Sequence, residues 1–180
     1  MKLIVGLGNV GKEYNYTPHN AGFLCLDILK DMYGDPTPWY EEGIFQAMTY
    51  KTDIEEVEVV LLKPTTFMNR SGEAVDKYIS KKGINPKDVI LVHDDLDIPL
   101  GKYKIGMGTA PKQHNGVISV ERRLKGIDFL RVRIGVDNRN GIDIPGDRYV
   151  LKKYDDTEVN ILRNICQSIC KDIVENYLSK

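Results

Sequence analysis

The stretch that decides the fold is LIVGLGNVGKEYNYTPHN, residues 3–20. Its first apolar residues, Leu3–Val5, predict a short buried strand, and the following glycines have the Gly-x-Gly-x-x-Gly spacing of a dinucleotide-binding loop. Such a loop must open a helix whose first backbone N–H groups receive the pyrophosphate. No apolar helical period follows Gly11, and Pro18 would interrupt a helix soon after its start. The context therefore argues against a dinucleotide site.

The remaining chain alternates predicted strands and helices. Where a dinucleotide fold needs its second strand, residues 23–29 have helical apolar spacing instead. The predicted strands are 2–6, 57–62, 89–92, 102–105 and 129–136, with a weaker one at 45–50, and the predicted helices are 22–33, 73–82, 117–124 and 156–178. This order predicts an α/β fold with a largely parallel sheet. A single domain over residues 1–180 is expected from the length.

Composition limits the classes of protein that fit. No apolar run approaches the roughly 20 residues of a membrane span, and the chain enters its first strand directly, so we expect neither a membrane segment nor a signal peptide. The three cysteines, Cys25, Cys166 and Cys170, are too few and too badly spaced for a disulfide framework or a zinc site. We expect them to pack in the core of a protein of the reducing cytoplasm.

Charge is distributed unevenly along the chain. The net charge is −1, but residues 101–133 contain eight Lys or Arg and two acids, which leaves +6 there and −7 elsewhere. A protein that meets phosphate on one face and repels it elsewhere would show this asymmetry. A merely solvated basic helix and strand is the simpler alternative.

Five groups of polar residues follow one another along nearly the whole chain. They are LGNxGxEYxxTxHNxG at 7–22, KPTTFMNRSG at 63–72, HDDLD at 93–97, HNG at 114–116 and RVRIG at 131–135, with YVLKKY at 149–154 near the end. Together these motifs resemble the bacterial-type peptidyl-tRNA hydrolase family. The resemblance implies a mixed sheet flanked by helices. It also implies an esterase that frees tRNA from its peptide for reuse in translation, without metal or organic cofactor.

The resemblance assigns the catalytic pair to His19 and Asp94. A neutral histidine is the natural base near pH 7 for activating water. A carboxylate on its far ring nitrogen would fix the tautomer and stabilise the imidazolium, as in serine proteases but without the serine. His93 and His114 are expected to be structural, and Met68 either packs or forms a wall of the site.

The same resemblance supplies the substrate contacts. Amide side chains suit this task because each offers both a donor and an acceptor without a charge. The residues expected to bind the terminal ribose, the peptide or the oxyanion are Asn9, Tyr14, Phe67, Asn69 and Asn115. Those expected to meet tRNA phosphate, on two strands that each alternate basic residues on one face, are Lys102, Lys104, Arg131 and Arg133. Of these, Lys104 and Arg133 fall where the family binds the 5′-terminal phosphate.

Three alternatives remain open at this point. Asp94, Asp95 and Asp97 could hold Mg²⁺, since hard cations favour clustered carboxylates. The chain could be a non-catalytic RNA-binding relative on the same scaffold, and a dinucleotide-dependent oxidoreductase is a distant third. For the favoured enzyme we expect peptidyl-tRNA as the partner, no obligate protein partner and a monomer.

The chain departs from the family pattern at two places. Val10 replaces the proline usually found between Asn9 and Gly11. The family's glycine-rich loop normally ends Gly-Gly-His-Asn-Gly, whereas Lys112 and Gln113 stand here in place of the two glycines. The named site residues themselves are all present.

Overall fold

The structure is a computed structural model that describes residues 1–108, 111 and 113–178. Its strands are β1 Lys2–Gly6, β2 Tyr40–Glu42, β3 Ala47–Ile54, β4 Val57–Pro64, β5 Val89–Pro99, β6 Tyr103–Gly106 and β7 Leu130–Asp137. Its α-helices are α1 Ala21–Tyr33, α2 Ser71–Lys82, α3 Asn115–Arg123, α4 Gly146–Tyr149 and α5 Asp156–Ile173, with a π-helical turn at Val174–Leu178. None of the helices in this described part is long and apolar enough to cross a membrane.

The strands form one seven-stranded sheet in the order β2-β3-β4-β1-β5-β7-β6. The four central strands, β4, β1, β5 and β7, are parallel. Antiparallel pairs add β3 and β2 at one edge and β6 at the other. The predicted α/β fold with a mixed, largely parallel sheet is confirmed.

Both faces of the sheet are covered, which is why its central strands are almost continuously apolar. Because side chains alternate along a strand, Ile4 enters the core under α1 and α5, whereas Leu3 and Val5 enter the core under α2 and α3. The three free cysteines are buried in the first of these cores, as expected. Asp155 begins α5 with a reciprocal capping box to Glu158, which satisfies backbone donors at the helix start.

The strand β5 is longer than the sequence predicts. It was expected to end at Val92, since the following HDDLD is polar, but it continues to Pro99 and stays paired with β7 through Asp94 and Asp95. These acids can lie inside a sheet because their carboxylates find hydrogen-bond partners there. Asp94 is therefore held by strand backbone and does not lie on a loop. The short elements β2 and α4 were not predicted.

Candidate active site

Two close backbone contacts bring the site together at the carboxyl ends of the central strands. A side chain on Gly22, in the first turn of α1, would lie 2.5 Å from the Leu7 nitrogen and from the Val92 oxygen, so only glycine permits this approach. Likewise a side chain on Gly72 of α2 would lie 2.1 Å from the Ser119 oxygen of α3. The first contact carries the residues before α1 to β5, and the second carries those before α2 to the start of α3.

His19 lies in the 3-10 turn Pro18–Asn20 that leads into α1. Its backbone N–H donates to the Val150 oxygen at 2.9 Å, which holds the turn against the segment after α4. The ring nitrogen Nδ1 lies 3.1 Å from both carboxylate oxygens of Asp94. Since an ionised carboxylate can only accept, the proton of the neutral imidazole lies on Nδ1, and Nε2 keeps its lone pair. This is the tautomer that a general base requires.

Asp94 is ionised although it is only 2% exposed. Burial alone would raise the pKa of Asp94, but His19 and His114 lower it well below its usual range. Burial likewise lowers the pKa of His19, and the adjacent Asp94 charge outweighs it, so the pKa of His19 is raised above its usual value. The pair thus resembles the His–Asp half of a catalytic triad.

His114 is a second partner of Asp94, and the sequence did not assign it that role. The backbone N–H groups of Gly116 and Val117 donate to its Nδ1 at 3.1 and 3.3 Å, so His114 caps α3. Its proton must therefore be on Nε2, which donates to the Asp94 carboxylate at 2.7 Å. His114 thus fixes one carboxylate oxygen of Asp94, in addition to the contacts from His19. The HNG motif drew attention to His114, but only the three-dimensional structure shows that its hydrogen-bond partner is Asp94.

His93 has the structural role expected of it. It is fully buried, and burial lowers its pKa to about 3, so it stays neutral. Its Nδ1 donates to the backbone oxygen of Asp94 at 2.8 Å, and its ring packs edge-on against His114 at a centroid distance of 5.2 Å. His93 and His114 together hold the backbone and the carboxylate of Asp94.

Asn9 is fixed by two neighbours. Its backbone N–H and oxygen are both bonded to the Asn20 side chain at 2.9 Å, a role for Asn20 that the sequence did not reveal. Its own Oδ1 accepts from the Met68 backbone N–H at 3.1 Å, which leaves Nδ2 to donate into the cleft. The turn is thus held although Val10, which is 54% exposed, replaces the usual proline.

A cleft of about 1,010 Å³ opens over these groups. It is lined by all the residues predicted to be catalytic or substrate-binding: Asn9, Tyr14, His19, Phe67, Asn69, Asp94 and Asn115. Met68 is buried in its wall, and Phe67 is 71% exposed at its margin. Pro111 and Gln113 also line the cleft, whereas Lys112 of the altered loop lies outside the described residues.

The predicted basic residues do lie on neighbouring strands. Lys104 of β6 is directly opposite Arg133 of β7, and Lys102 immediately precedes β6. Arg133 donates to the Asp95 carboxylate at 2.6 Å, and Asp95 lines the cleft. Arg131 is different, because it is only 4% exposed and is paired with Glu121 at 2.6 Å. In this conformation, Arg131 links β7 to α3 through its ion pair. A phosphate could reach Arg131 only after local rearrangement.

The Gly-x-Gly-x-x-Gly stretch does not open an α-helix. Gly11 is followed by a three-residue 3-10 turn, Lys12–Tyr14, and α1 starts only at Ala21. The helix N-terminus that a pyrophosphate needs is therefore missing from this loop. This geometry argues against a dinucleotide site at the motif, as its sequence context does.

Among the described residues, one trio of side chains could surround a metal ion. The ligand atoms of His19, Asp94 and His114 lie within 4.8 Å of one another. These atoms are already hydrogen-bonded through the shared carboxylate, so a cation would have to displace two protons. Within the described residues, Asp94, Asp95 and Asp97 do not form a metal site. Asp95 instead accepts hydrogen bonds from the Asp97 backbone N–H and the Arg133 guanidinium.

A buried carboxylate that orients a histidine beside neutral amides is a centre for general acid–base hydrolysis. Comparison with known proteins identifies the family. A family model described as peptidyl-tRNA hydrolase matches residues 3–180. The chain belongs to the peptidyl-tRNA hydrolase family.

Individual relatives agree over most of their length. The peptidyl-tRNA hydrolase of Mycoplasma mycoides subsp. mycoides is 39% identical over 167 residues, covering 91% of this chain and 86% of the relative. That of Neisseria meningitidis serogroup A is 41% identical over 158 residues, covering 85% and 78%. The crystal structure of peptidyl-tRNA hydrolase from Acinetobacter baumannii superposes with a TM-score of 0.85 at 32% identity, covering 99% of this chain and 90% of that one.

Proposed function

We propose that the chain hydrolyses the ester between peptide and tRNA in peptidyl-tRNA and releases free tRNA for reuse in translation. The observation that carries this proposal is the His19–Asp94 pair, whose hydrogen bonds leave the lone pair of the neutral imidazole on Nε2, in a cleft lined by three asparagines. The identity of the substrate, peptidyl-tRNA, is inferred from membership of the family. A non-catalytic relative would have no need of a buried, ionised Asp94 whose only described side-chain partners are histidines.

The proposed reaction uses His19 twice. Nε2 takes a proton from a water molecule as its oxygen attacks the ester carbonyl carbon, and Asp94 stabilises the imidazolium that forms. The tetrahedral intermediate then expels the ribose oxygen, which receives the proton back from His19. The products are the peptide acid and a tRNA with a free terminal ribose, so no further reactant is needed.

The neutral amides would bind the groups around this centre. Asn69 is proposed to hold the substrate or the developing oxyanion, because an amide N–H can stabilise negative charge there. Asn9 and Asn115 are proposed to contact the terminal ribose and the peptide, with Asn9 acting as a donor because its Oδ1 already accepts from Met68. Tyr14 and Phe67 would complete the walls of the cleft.

Recognition of tRNA is proposed to involve Lys104 and Arg133, with Lys102 adjacent. An arginine can donate two hydrogen bonds to a phosphate, and a lysine adds a compact charge. We propose that this pair meets the 5′-terminal phosphate at the acceptor end. The protein is further proposed to act as a cytoplasmic monomer without an obligate protein partner.

Turnover of a purified N-acyl-aminoacyl-tRNA by the purified protein tests the proposal directly. We expect release of the N-acyl amino acid and of intact tRNA, in equal amounts. Binding of this substrate without turnover would favour the non-catalytic RNA-binding alternative. A matched assay with the His19→Ala variant excludes activity from a contaminating hydrolase.

A further inference from the structure

A second depression lies beside the catalytic cleft and has no role in the proposed mechanism. Its volume is about 690 Å³, within the range of small-ligand pockets. We call it the aromatic pocket and define it by Phe23, Trp39, Met48 and Lys63. Asn9 lines both this pocket and the catalytic cleft, so the two are adjacent.

The pocket is built from the sheet edge opposite to the basic strands. Met48 of β3 lies between Glu41 of β2 and Lys63 of β4 in the strand register. Phe23 of α1 lies on the other side, and its ring is 5.4 Å from the Lys63 ammonium. In the strand order, the pocket therefore lies on β2–β3–β4, Asp94 on the central strand β5, and Lys104 and Arg133 on β6 and β7. His19 lies in the turn between β1 and α1.

Two exposed charges of opposite sign, Lys12 and Glu41, also line the pocket, so the charges around it do not call for an ionic ligand. The Lys63 ammonium is buried, bonds to the Asp27 carboxylate at 2.5 Å, and lies 4.3 Å from the centre of the Trp39 ring. The Trp39 indole N–H donates to the same carboxylate at 2.9 Å. The buried cation is thus already paired, while Phe23, Trp39 and Met48 offer apolar surface. An uncharged ligand with an apolar group fits this chemistry.

We infer that the aromatic pocket binds the peptide part of the substrate, namely the apolar side chain of the residue that precedes the esterified one. This inference rests on the proposed function. Ribose and peptide leave the ester in opposite directions, so a tRNA held at Lys104 and Arg133 directs the peptide past Asn9 toward β4. The pocket would then favour peptidyl-tRNA over tRNA that carries a single amino acid.

The fluorescence of Trp39 tests the occupant, because this is the only tryptophan in the chain. The probes are 3′-amino-3′-deoxyadenosine alone and the same nucleoside carrying, through an amide, either N-acetyl-leucine or an N-acetyl-Leu-Leu dipeptide. We expect the dipeptidyl compound to shift Trp39 emission, and the other two to bind without that shift. An equal response to all three, or a response to the bare nucleoside, would overturn the inference.

Kinetics provide an independent test on full-length tRNA. We expect kcat/KM to be about tenfold higher for an N-acetyl-Leu-Leu ester than for an N-acetyl-leucyl ester, the scale of one apolar side chain in a pocket. Trp39→Ala should bring this ratio close to one, whereas Trp39→Phe should retain most of it. The control Tyr40→Ala, at a neighbouring side chain that is 69% exposed, should leave it unchanged.

The outcomes separate the pocket from the proposed function. If the wild-type protein hydrolyses both esters at equal kcat/KM, the pocket is not a peptide subsite although the enzyme assignment stands. If Trp39→Ala reduces kcat/KM for both esters by the same factor, the Trp39 side chain supports the fold and the inference is wrong. If the wild-type protein hydrolyses neither ester, the proposed function fails, and the inference fails with it.

Discussion

The catalytic pair, His19 and Asp94, and the basic strand pair, Lys104 of β6 opposite Arg133 of β7, use charge in opposite ways. Asp94 is buried, and hydrogen bonds from His19 and His114 fix it from two directions. Lys104 is exposed on an edge strand, and in the described part of the chain it makes no salt bridge. A buried charge interacts strongly and with one geometry, because little water screens it. An exposed charge acts over a wider area, and salt weakens it.

This difference indicates which substitutions should impair catalysis and which should impair recognition of tRNA. Removing a member of the buried network changes the protonation or the position of the reacting group. Removing an exposed lysine should change the affinity for phosphate and leave the chemistry intact. Arg133 is intermediate, since it belongs to the basic strand pair and is also bonded to the buried Asp95.

The largest effect is expected from His19→Ala. This variant should lose about 100-fold or more in kcat, the usual contribution of a general base, while it still binds tRNA. Steady-state turnover of N-acetyl-aminoacyl-tRNA and a separate tRNA-binding titration measure the two quantities. Lys51→Ala, an exposed change on β3 at a residue that does not line the cleft, is the control. Near-normal turnover by His19→Ala would remove His19 from the mechanism.

A smaller defect with a distinct pH signature is expected from Asp94→Asn. Activity requires neutral His19, so it should fall as the pH drops through the raised pKa of that histidine. Without the Asp94 charge, burial alone acts on His19 and lowers its pKa. The acid limb of kcat/KM should therefore move to lower pH, while the plateau rate decreases because the imidazole loses its orienting partner.

The matched control for this profile is Asp147→Asn. Asp147 also lines the cleft and carries the same charge, but its described hydrogen bond is to the Arg148 backbone N–H. Its removal should leave the acid limb nearly in place. If Asp94→Asn and Asp147→Asn shift the limb equally, the effect is general electrostatics, and Asp94 has no special role as the partner of His19.

A modest, salt-dependent effect is expected at the basic strand pair. Arg133→Ala should raise KM for full-length substrate and reduce the slope of log KM against log salt by about one, because one phosphate contact is lost. It should affect a short 3′-fragment ester much less. Equal losses on both substrates would show that Arg133 supports the fold or the catalytic centre instead.

Lys104→Ala sharpens this test because it leaves the Arg133–Asp95 pair in place. It should show the same selective rise in KM without any change on the short ester. Lys81→Ala, which removes one exposed positive charge from the end of α2, should change neither quantity. If Lys81→Ala matches Lys104→Ala, net charge explains the effect and the phosphate assignment should be dropped.

Much of the fold could be predicted because local patterns and tertiary packing agree. The strands Lys2–Gly6 and Val57–Pro64 are nearly continuous apolar runs, and the helix that starts at Asp156 has an amphipathic period. The types of these elements and most of their ends were therefore predicted. The strand β5 was cut short because the polar HDDLD has no apolar alternation. Its polar residues stay in the sheet through His19 and Arg133, partners that are distant in sequence and that no local pattern can show.

The site could be predicted in its members but not in its connections. The resemblance named His19, Asp94 and the asparagines, and the structure gathers them in one cleft. The hydrogen bond from His114 to Asp94 depends on a tertiary contact between separate motifs. The two hydrogen bonds between the Asn20 side chain and the Asn9 backbone likewise depend on tertiary structure. The burial of Arg131 against Glu121 was missed for the same reason, since alternation along a strand gives a face but not what covers it.

The smallest effect is expected from removing metal ions. Activity on a short 3′-fragment ester should be unchanged after exhaustive chelation at fixed ionic strength, because the hydrogen-bonded His19 and Asp94 supply the base without a Lewis acid. The short ester is used because chelation would also disturb the folding of full-length tRNA.

Loss of activity that Mg²⁺ restores would revive the metal-site alternative at Asp94, Asp95 and Asp97. Loss that only Zn²⁺ restores would instead point to His19, Asp94 and His114, the trio whose ligand atoms lie within 4.8 Å of one another. Either result would mean that the hydrogen bonds around Asp94 are those of a site without its metal, and that the buried network should be compared with metal centres instead of catalytic triads.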